Sequence, residues 1–180
     1  MFAEASHGYT RGTWTATEDS SLDRRQWNGG KQGDGSGYCA PSQTLLPTLM
    51  KWMLVFEDPR SRTLWLARAV PRVWLAGGGK RVAVSDSPTR YGRISYLIEP
   101  HSNGNGNGTM RANITLPAAF KVPPGGLKLR LRSPAGQKLS SATVGGKPWL
   151  TINTTEETIA FASASMPATA DLQRIVASFV

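Results

Sequence analysis

Residues 127–132 read Leu-Lys-Leu-Arg-Leu-Arg, three leucines alternating with three cations, between Pro123-Pro124-Gly125-Gly126 and Ser133-Pro134. Alternation with period two sends Leu127, Leu129 and Leu131 to one face of a β-strand and Lys128, Arg130 and Arg132 to the other. A strand with one dry face needs a second layer to cover it. Residues 63–69, 81–85, 93–99, 109–116, 142–144, 158–162 and 174–179 supply that layer, each a short strand-like run bounded by Gly, Pro, Asn or Asp. No crossover helices lie between these runs, so the pattern predicts a sandwich rather than a parallel sheet. Asn103-Gly104-Asn105-Gly106-Asn107-Gly108 accepts positive φ and suits a hairpin. Val144-Gly145-Gly146-Lys147-Pro148-Trp149 reads as a second tight turn that returns Trp149 to the core. Pro71-Arg72-Val73-Trp74-Leu75 reads as one short helical turn stopped by Gly77-Gly78-Gly79.

Upstream, residues 40–57 carry the one convincing helical pattern. Pro41 suits a first helical position. Leu45, Leu49, Trp52, Met53 and Phe56 share a face at three- and four-residue spacing, and Leu46 and Met50 widen it. Pro47 removes a backbone donor and predicts a kink or a later start. Glu57-Asp58-Pro59-Arg60 ends the helix. So broad an apolar face calls for more cover than one sandwich edge offers. Residues 1–38 are rich in Gly, Ser, Thr and Asp, with a short extended stretch at 9–17 and a loop at 29–37. The expected fold is therefore mainly β: an antiparallel β-sandwich preceded by a loop-rich segment and one amphipathic α-helix.

Charge and cysteine content narrow the function classes. The formal charge is +9, but residues 1–63 hold seven Lys/Arg against seven Asp/Glu, while residues 64–180 hold fourteen against five. These cations are scattered over strand faces and turns, and aromatic residues do not alternate with them as a base-stacking platform requires. A solvated sheet face fits better than nucleic-acid binding. The single cysteine, Cys39, leaves no internal disulfide and no multi-cysteine metal site, and only His7 and His101 stand available as a base for it. No apolar run approaches the ~20 residues that span a bilayer, and the first residues lack a signal-peptide pattern, so the expectation is a cytoplasmic protein without membrane contact, or a fragment whose targeting sequence lies upstream. Gly77-Gly78-Gly79-Lys80 lacks the phosphate-loop spacing, and no nucleophile elbow or paired-histidine metal motif occurs. No cofactor and no metal are expected.

The chemistry-bearing candidate is Glu18, which follows an aromatic, hydroxyl-rich stretch and precedes the glycine-rich loop. A carboxylate at such a junction can serve as acid or base in glycoside hydrolysis, opposite a partner carboxylate ~5–9.5 Å away. Trp14, Trp27, Tyr9 and Tyr38 can offer flat faces to a sugar ring, and Arg11 can bond its hydroxyls. The same order, Arg11-Gly12-Thr13-Trp14-Thr15-Ala16-Thr17-Glu18, then Tyr38-Cys39-Ala40-Pro41-Ser42-Gln43, Trp52-Met53-Leu54-Val55-Phe56-Glu57 and Leu64-Trp65-Leu66-Ala67-Arg68-Ala69-Val70-Pro71-Arg72, resembles the C-terminal end of large bacterial proteins related to the six-hairpin glycosidases. Residues 123–132 and 144–149 are similar to the β-sandwich tail that follows the (α/α)6 barrel in such proteins.

The resemblance implies that residues 1–62 are the remnant of a helical barrel domain, ending in its last helix, and that residues 63–180 are the sandwich. By analogy with glucoamylase-like barrels it implies a catalytic role for Glu18, with Arg11, Trp14, Trp27 and Tyr38 contacting carbohydrate. It departs from the family in bulk, because about a dozen helices make such a barrel and one is present here. The chain is then a C-terminal fragment of a glycoside hydrolase-like protein, inactive by itself, whose sandwich is structural or accessory. The alternative is a stand-alone carbohydrate- or protein-binding sandwich. A chain standing alone would pair the exposed face of its 41–57 helix in a homodimer.

Overall fold

A computed structural model of the chain describes residues 40–77, 80–102 and 108–180. The chain divides into two compact units, Met1–Trp52 and Met53–Val180. The described part of the first is helical. Helix α1 spans Ala40–Leu54 and carries Pro47 inside it. None of the side chains at 44–54 is buried, and Leu45 and Trp52 are 41% and 51% exposed.

The helix stops three residues earlier than its apolar spacing suggests. Val55–Glu57 forms strand β1 instead, with Val55 opposite Leu66 and Phe56 opposite Trp65. The run Trp52-Met53-Leu54-Val55-Phe56 is continuously apolar and fits either period, so tertiary pairing decides where helix gives way to strand. The last two carbonyls of α1, on Met53 and Leu54, belong to the second unit and find their partners within it. Ala67 N–H donates to Leu54 O at 2.8 Å, Ala69 N–H to Met53 O at 3.1 Å, and the Tyr96 hydroxyl to Leu54 O at 2.8 Å.

The second unit is a two-layer β structure. One sheet has the order β1-β2-β6-β10-β9, with β2 at Leu64–Leu66, β6 at Leu127–Arg130, β9 at Ile152–Asn153 and β10 at Thr158–Phe161. The other has the order β3-β4-β5-β11-β7-β8, with β3 at Val82–Thr89, β4 at Gly92–Ser102, β5 at Gly108–Thr115, β7 at Leu139–Val144, β8 at Lys147–Pro148 and β11 at Ile175–Phe179. Every pairing is antiparallel except β2 with β6, where Leu64, Trp65 and Leu66 lie beside Leu127, Lys128 and Leu129 in parallel. Strands β4 and β5 pair without a break from Ser95–Thr115 to Ser102–Gly108, the register of a hairpin. Arg72–Leu75 forms a 3-10 turn at the expected place.

The alternation seen in the sequence fixes the layers. Leu127, Leu129 and Leu131 are 0–1% exposed, while Lys128, Arg130 and Arg132 lie on the opposite face. Ile94, Tyr96 and Ile98 on β4, Met110, Ala112 and Ile114 on β5, and Ile175, Ala177 and Phe179 on β11 bury the same alternate positions in the other sheet. These residues join Leu64, Leu66, Ile159 and Phe161 in one core. Trp149 packs against that core with its ring 5.5 Å from Phe161, and its indole N–H donates to Ala160 O at 3.0 Å. Gly145 and Gly146 have φ of 61° and 83°, the left-handed pair that a two-residue hairpin turn demands.

Tyr96 gives a first test of this packing. Its ring is 3% exposed and burial drives its hydroxyl pKa well above the ordinary 10.0. Removing the hydroxyl in Tyr96→Phe orphans one acceptor contact at Leu54 O and should destabilise by about 1 kcal/mol at neutral pH. A folded-state pKa above the unfolded one gives stability that is intact below pH ~10 and declines as pH rises beyond it. The gap between wild type and Tyr96→Phe should therefore shrink, then invert, in urea titrations taken upward from pH 10. A gap independent of pH would refute the burial of this hydroxyl.

Candidate functional site

Glu18, Arg11, Trp14, Trp27, Tyr38 and Cys39 all lie outside the described residues, and so does His7. His101 is described, on β4, and its carbonyl accepts a hydrogen bond from Thr109 Oγ1. The chemistry that can be built from geometry is that of the two sheets' outer faces.

A general acid needs a carboxyl whose neutral form is favoured by burial or by a like charge. The sandwich carboxylates are placed otherwise. Arg72 Nη2 holds Glu157 by both oxygens, at 2.7 and 2.8 Å. Arg90 Nε donates to Glu57 Oε2 at 2.6 Å, and Arg93 Nη1 to Asp86 Oδ2 at 2.7 Å. Glu156 faces Lys128 at 3.6 Å, and Asp171 faces Arg174 at 3.9 Å. Ser61 Oγ and the Arg60 N–H hydrogen-bond Asp58 and hold its carboxyl below its ordinary pKa. The seventh carboxylate among the described residues, that of Glu99, has no hydrogen bond or ion pair among them. No group of three or more His, Cys, Asp or Glu among the described residues could hold a metal ion.

The outer face of the five-stranded sheet is a braced one. The Arg68 guanidinium lies 4.0 Å from the Phe56 ring centre and 5.7 Å from that of Trp65, and Lys128 Nζ lies 4.5 Å from Trp65. Beyond Lys128, Arg130 donates to Arg68 O at 3.0 Å, and Arg72 donates to Ser133 O at 2.6 Å. Arg132 Nε stands 3.4 Å from Glu157 Oε2, within ion-pair reach but without hydrogen-bond geometry. Burial, then the neighbouring Arg132, lowers the pKa of Arg130. The aromatic faces here are occupied by the protein's own cations, so they offer no open platform to a sugar ring.

The outer face of the six-stranded sheet differs. Strand register sets Glu99, Arg111, Val176, Thr143 and Pro148 in one row across five strands, each opposite the next. Adjacent strands are ~4.8 Å apart, so Glu99 to Thr143 spans about 14 Å. A cavity of about 460 Å3 lies over this row, lined also by Asn113, Gln173 and Arg174. With its amide turned so that nitrogen meets the carbonyls, Asn113 donates to Gln173 O at 2.7 Å and to Ala112 O at 3.0 Å, which ties the start of β11 to β5. The same junction is held from the other side by Gly145 N–H donating to Arg174 O at 3.0 Å. A carboxylate, two guanidiniums, two amides and a hydroxyl thus line one groove on a rigid floor of strands.

None of these groove residues stands out in sequence. Alternation places Glu99, Arg111, Asn113 and Thr143 on the wet face of their strands, but only register shows that they converge. Searches against protein-family models, curated proteins and solved structures find no match for this chain.

Proposed function

We propose that the chain is the C-terminal part of a carbohydrate-active, glycoside hydrolase-like protein, and that its sandwich is an accessory module that holds saccharide without cleaving it. The observation that carries this reading is the groove across β4, β5, β11 and β7. Small-molecule pockets are mostly apolar with a few polar groups; this one is lined mainly by side chains that donate or accept hydrogen bonds. Such a surface is well hydrated, and a ligand gains from it only by replacing many water contacts at once. A polyhydroxylated chain does so, since each hydroxyl both donates and accepts. The sandwich carboxylates support a non-catalytic role, because six of the seven among the described residues are already engaged by the protein's own cations or hydrogen-bond donors. Catalysis in the parent protein is assigned to Glu18, with Arg11, Trp14, Trp27 and Tyr38 on the substrate. The exposed apolar residues Leu45 and Trp52 on α1 favour a parent with further helices, or a homodimer through that face, over a chain that works alone.

Affinity electrophoresis of the chain through gels containing soluble polysaccharides tests the binding role. Retardation by at least one polysaccharide is expected, and a Thr143→Val/Gln173→Ala double variant should lose most of it while unfolding at an unchanged temperature. Retardation that survives both substitutions would move the saccharide site off this groove. Mobility unaffected by every polysaccharide would end the carbohydrate reading of the sandwich.

A further inference from the structure

Resting on that reading, we infer that the groove selects an acidic saccharide, one whose uronate carboxylate is taken by Arg111 and Arg174. Both guanidiniums line the same 460 Å3 cavity. Arg111 rises from the middle of β5 and makes no hydrogen bond or ion pair among the described residues. Arg72, Arg90, Arg93 and Arg132 each have a carboxylate within 4 Å, while Arg111, like Arg60, Arg62 and Arg81, has none among the described residues and differs from those three in lining this cavity. Glu99 lies directly opposite Arg111 in the register and still forms no ion pair with it. Arg174 is only loosely engaged: its Nη2 is 3.4 Å from Gly145 O and 3.9 Å from Asp171 Oδ1, and its side chain is 70% exposed.

An arginine has five donors in a planar fork that matches a carboxylate. Two of them beside one floor, with their donors largely unspent inside the protein, make an anion seat within the groove. The remaining lining groups are those a neutral part of the same chain requires. Glu99 accepts sugar hydroxyls, Thr143 Oγ1 both donates and accepts, and the Gln173 amide does the same through separate atoms. Glu99 also sets direction, because it repels a carboxylate placed on its side of Arg111. The excess of cations in residues 64–180 favours approach of an anionic chain. A neutral saccharide would offer Arg111 hydroxyl acceptors but no opposite charge.

Isothermal titration calorimetry of the full chain separates this inference from the broader one. Three ligands of one skeleton suffice: a tetragalacturonate, its methyl ester, and a neutral galacto-oligosaccharide. The acid should bind about tenfold or more tighter than its methyl ester, as charge-assisted hydrogen bonds are roughly twice as strong as neutral ones. Arg111→Gln should remove about tenfold or more of the acid's affinity and leave that of the methyl ester within twofold. Raising the salt from 50 to 500 mM should weaken the acid and spare the ester. Equal binding of acid and ester, both weakened by Thr143→Val, would overturn acid selection and keep the saccharide groove. Binding of none of the three would overturn acid selection, and flat gel mobility beside it would remove the groove reading too. Arg111 is exposed on a strand's outer face, and an unchanged unfolding temperature of Arg111→Gln shows that loss of binding is not loss of fold.

Discussion

Leu129→Ala is expected to remove about 2–5 kcal/mol of stability, the range found when a fully buried leucine is truncated in a core that cannot close around the gap. Leu129 is 0% exposed, in the central strand of the five-stranded sheet. Leu66 lies directly beside it on β2 and Ile159 on β10. Each of those neighbours is itself 0% exposed and fixed by its own strand, so neither can shift to fill the space. Urea unfolding followed by tryptophan fluorescence should show the midpoint fall at constant slope. Lys128→Ala, one residue away on the outer face, removes a contact with Trp65 and a pair with Glu156 at 3.6 Å. Its expected effect is about 0.5–1 kcal/mol. Equal losses in the two variants would mean that the leucine row is not the centre of the sandwich.

How much of this was written in the sequence differs by element. The leucine–cation alternation of β6 is visible in six residues and matches the burial of every one of them. Strands β3, β4, β5, β7, β10 and β11 announce themselves by period and by flanking Gly, Pro or Asn, and Gly145-Gly146 marks its turn because only glycine takes two successive positive φ values cheaply. The parallel pairing of β2 with β6 is not legible. It joins residues 63 positions apart in register, Leu64 with Leu127, and parallel neighbours leave no local signature. The two-residue strands β8 and β9 are too short to show a period. The end of α1 is ambiguous for the reason that Val55 and Phe56 continue the apolar run into a strand.

Legibility of the groove fails in the same way. Glu99, Arg111, Thr143 and Arg174 come from four strands or their ends, each unremarkable alone, and the cavity exists only because register aligns them. The brace on the opposite face depends on Arg72 meeting Glu157, 85 residues apart. Single positions carry the polarity of a site; pairing between distant strands supplies its shape.

That brace makes the second strong expectation. Glu157 is 6% exposed and holds a left-handed backbone, φ 56°, a conformation that costs a non-glycine residue roughly 1–2 kcal/mol. Its carboxylate accepts two bonds from Arg72 and lies 3.4 Å from Arg132, and its carbonyl accepts the Leu131 N–H at 2.9 Å. Glu157→Gln keeps the shape and deletes the charge. Three guanidiniums, on Arg72, Arg130 and Arg132, then crowd one face with only the more exposed Glu156 as an anion near them. Removing one member of a buried pair destabilises by about 3–5 kcal/mol. The side chains of Arg72 and Arg132 are 28% and 30% exposed, which brings the expected loss below that range, to about 2–3 kcal/mol. Glu157→Ala should lose as much or more. Glu157→Gly deletes the same carboxylate but relaxes the backbone, so it should lose about 1 kcal/mol less than Glu157→Ala. The three variants therefore separate charge from strain in one set of urea titrations. Should Glu157→Gly equal the wild type, the ion pair is worth no more than the backbone strain that the glycine relieves; should Glu157→Gln equal it, the carboxylate is not what holds β6 and the Arg72 turn together.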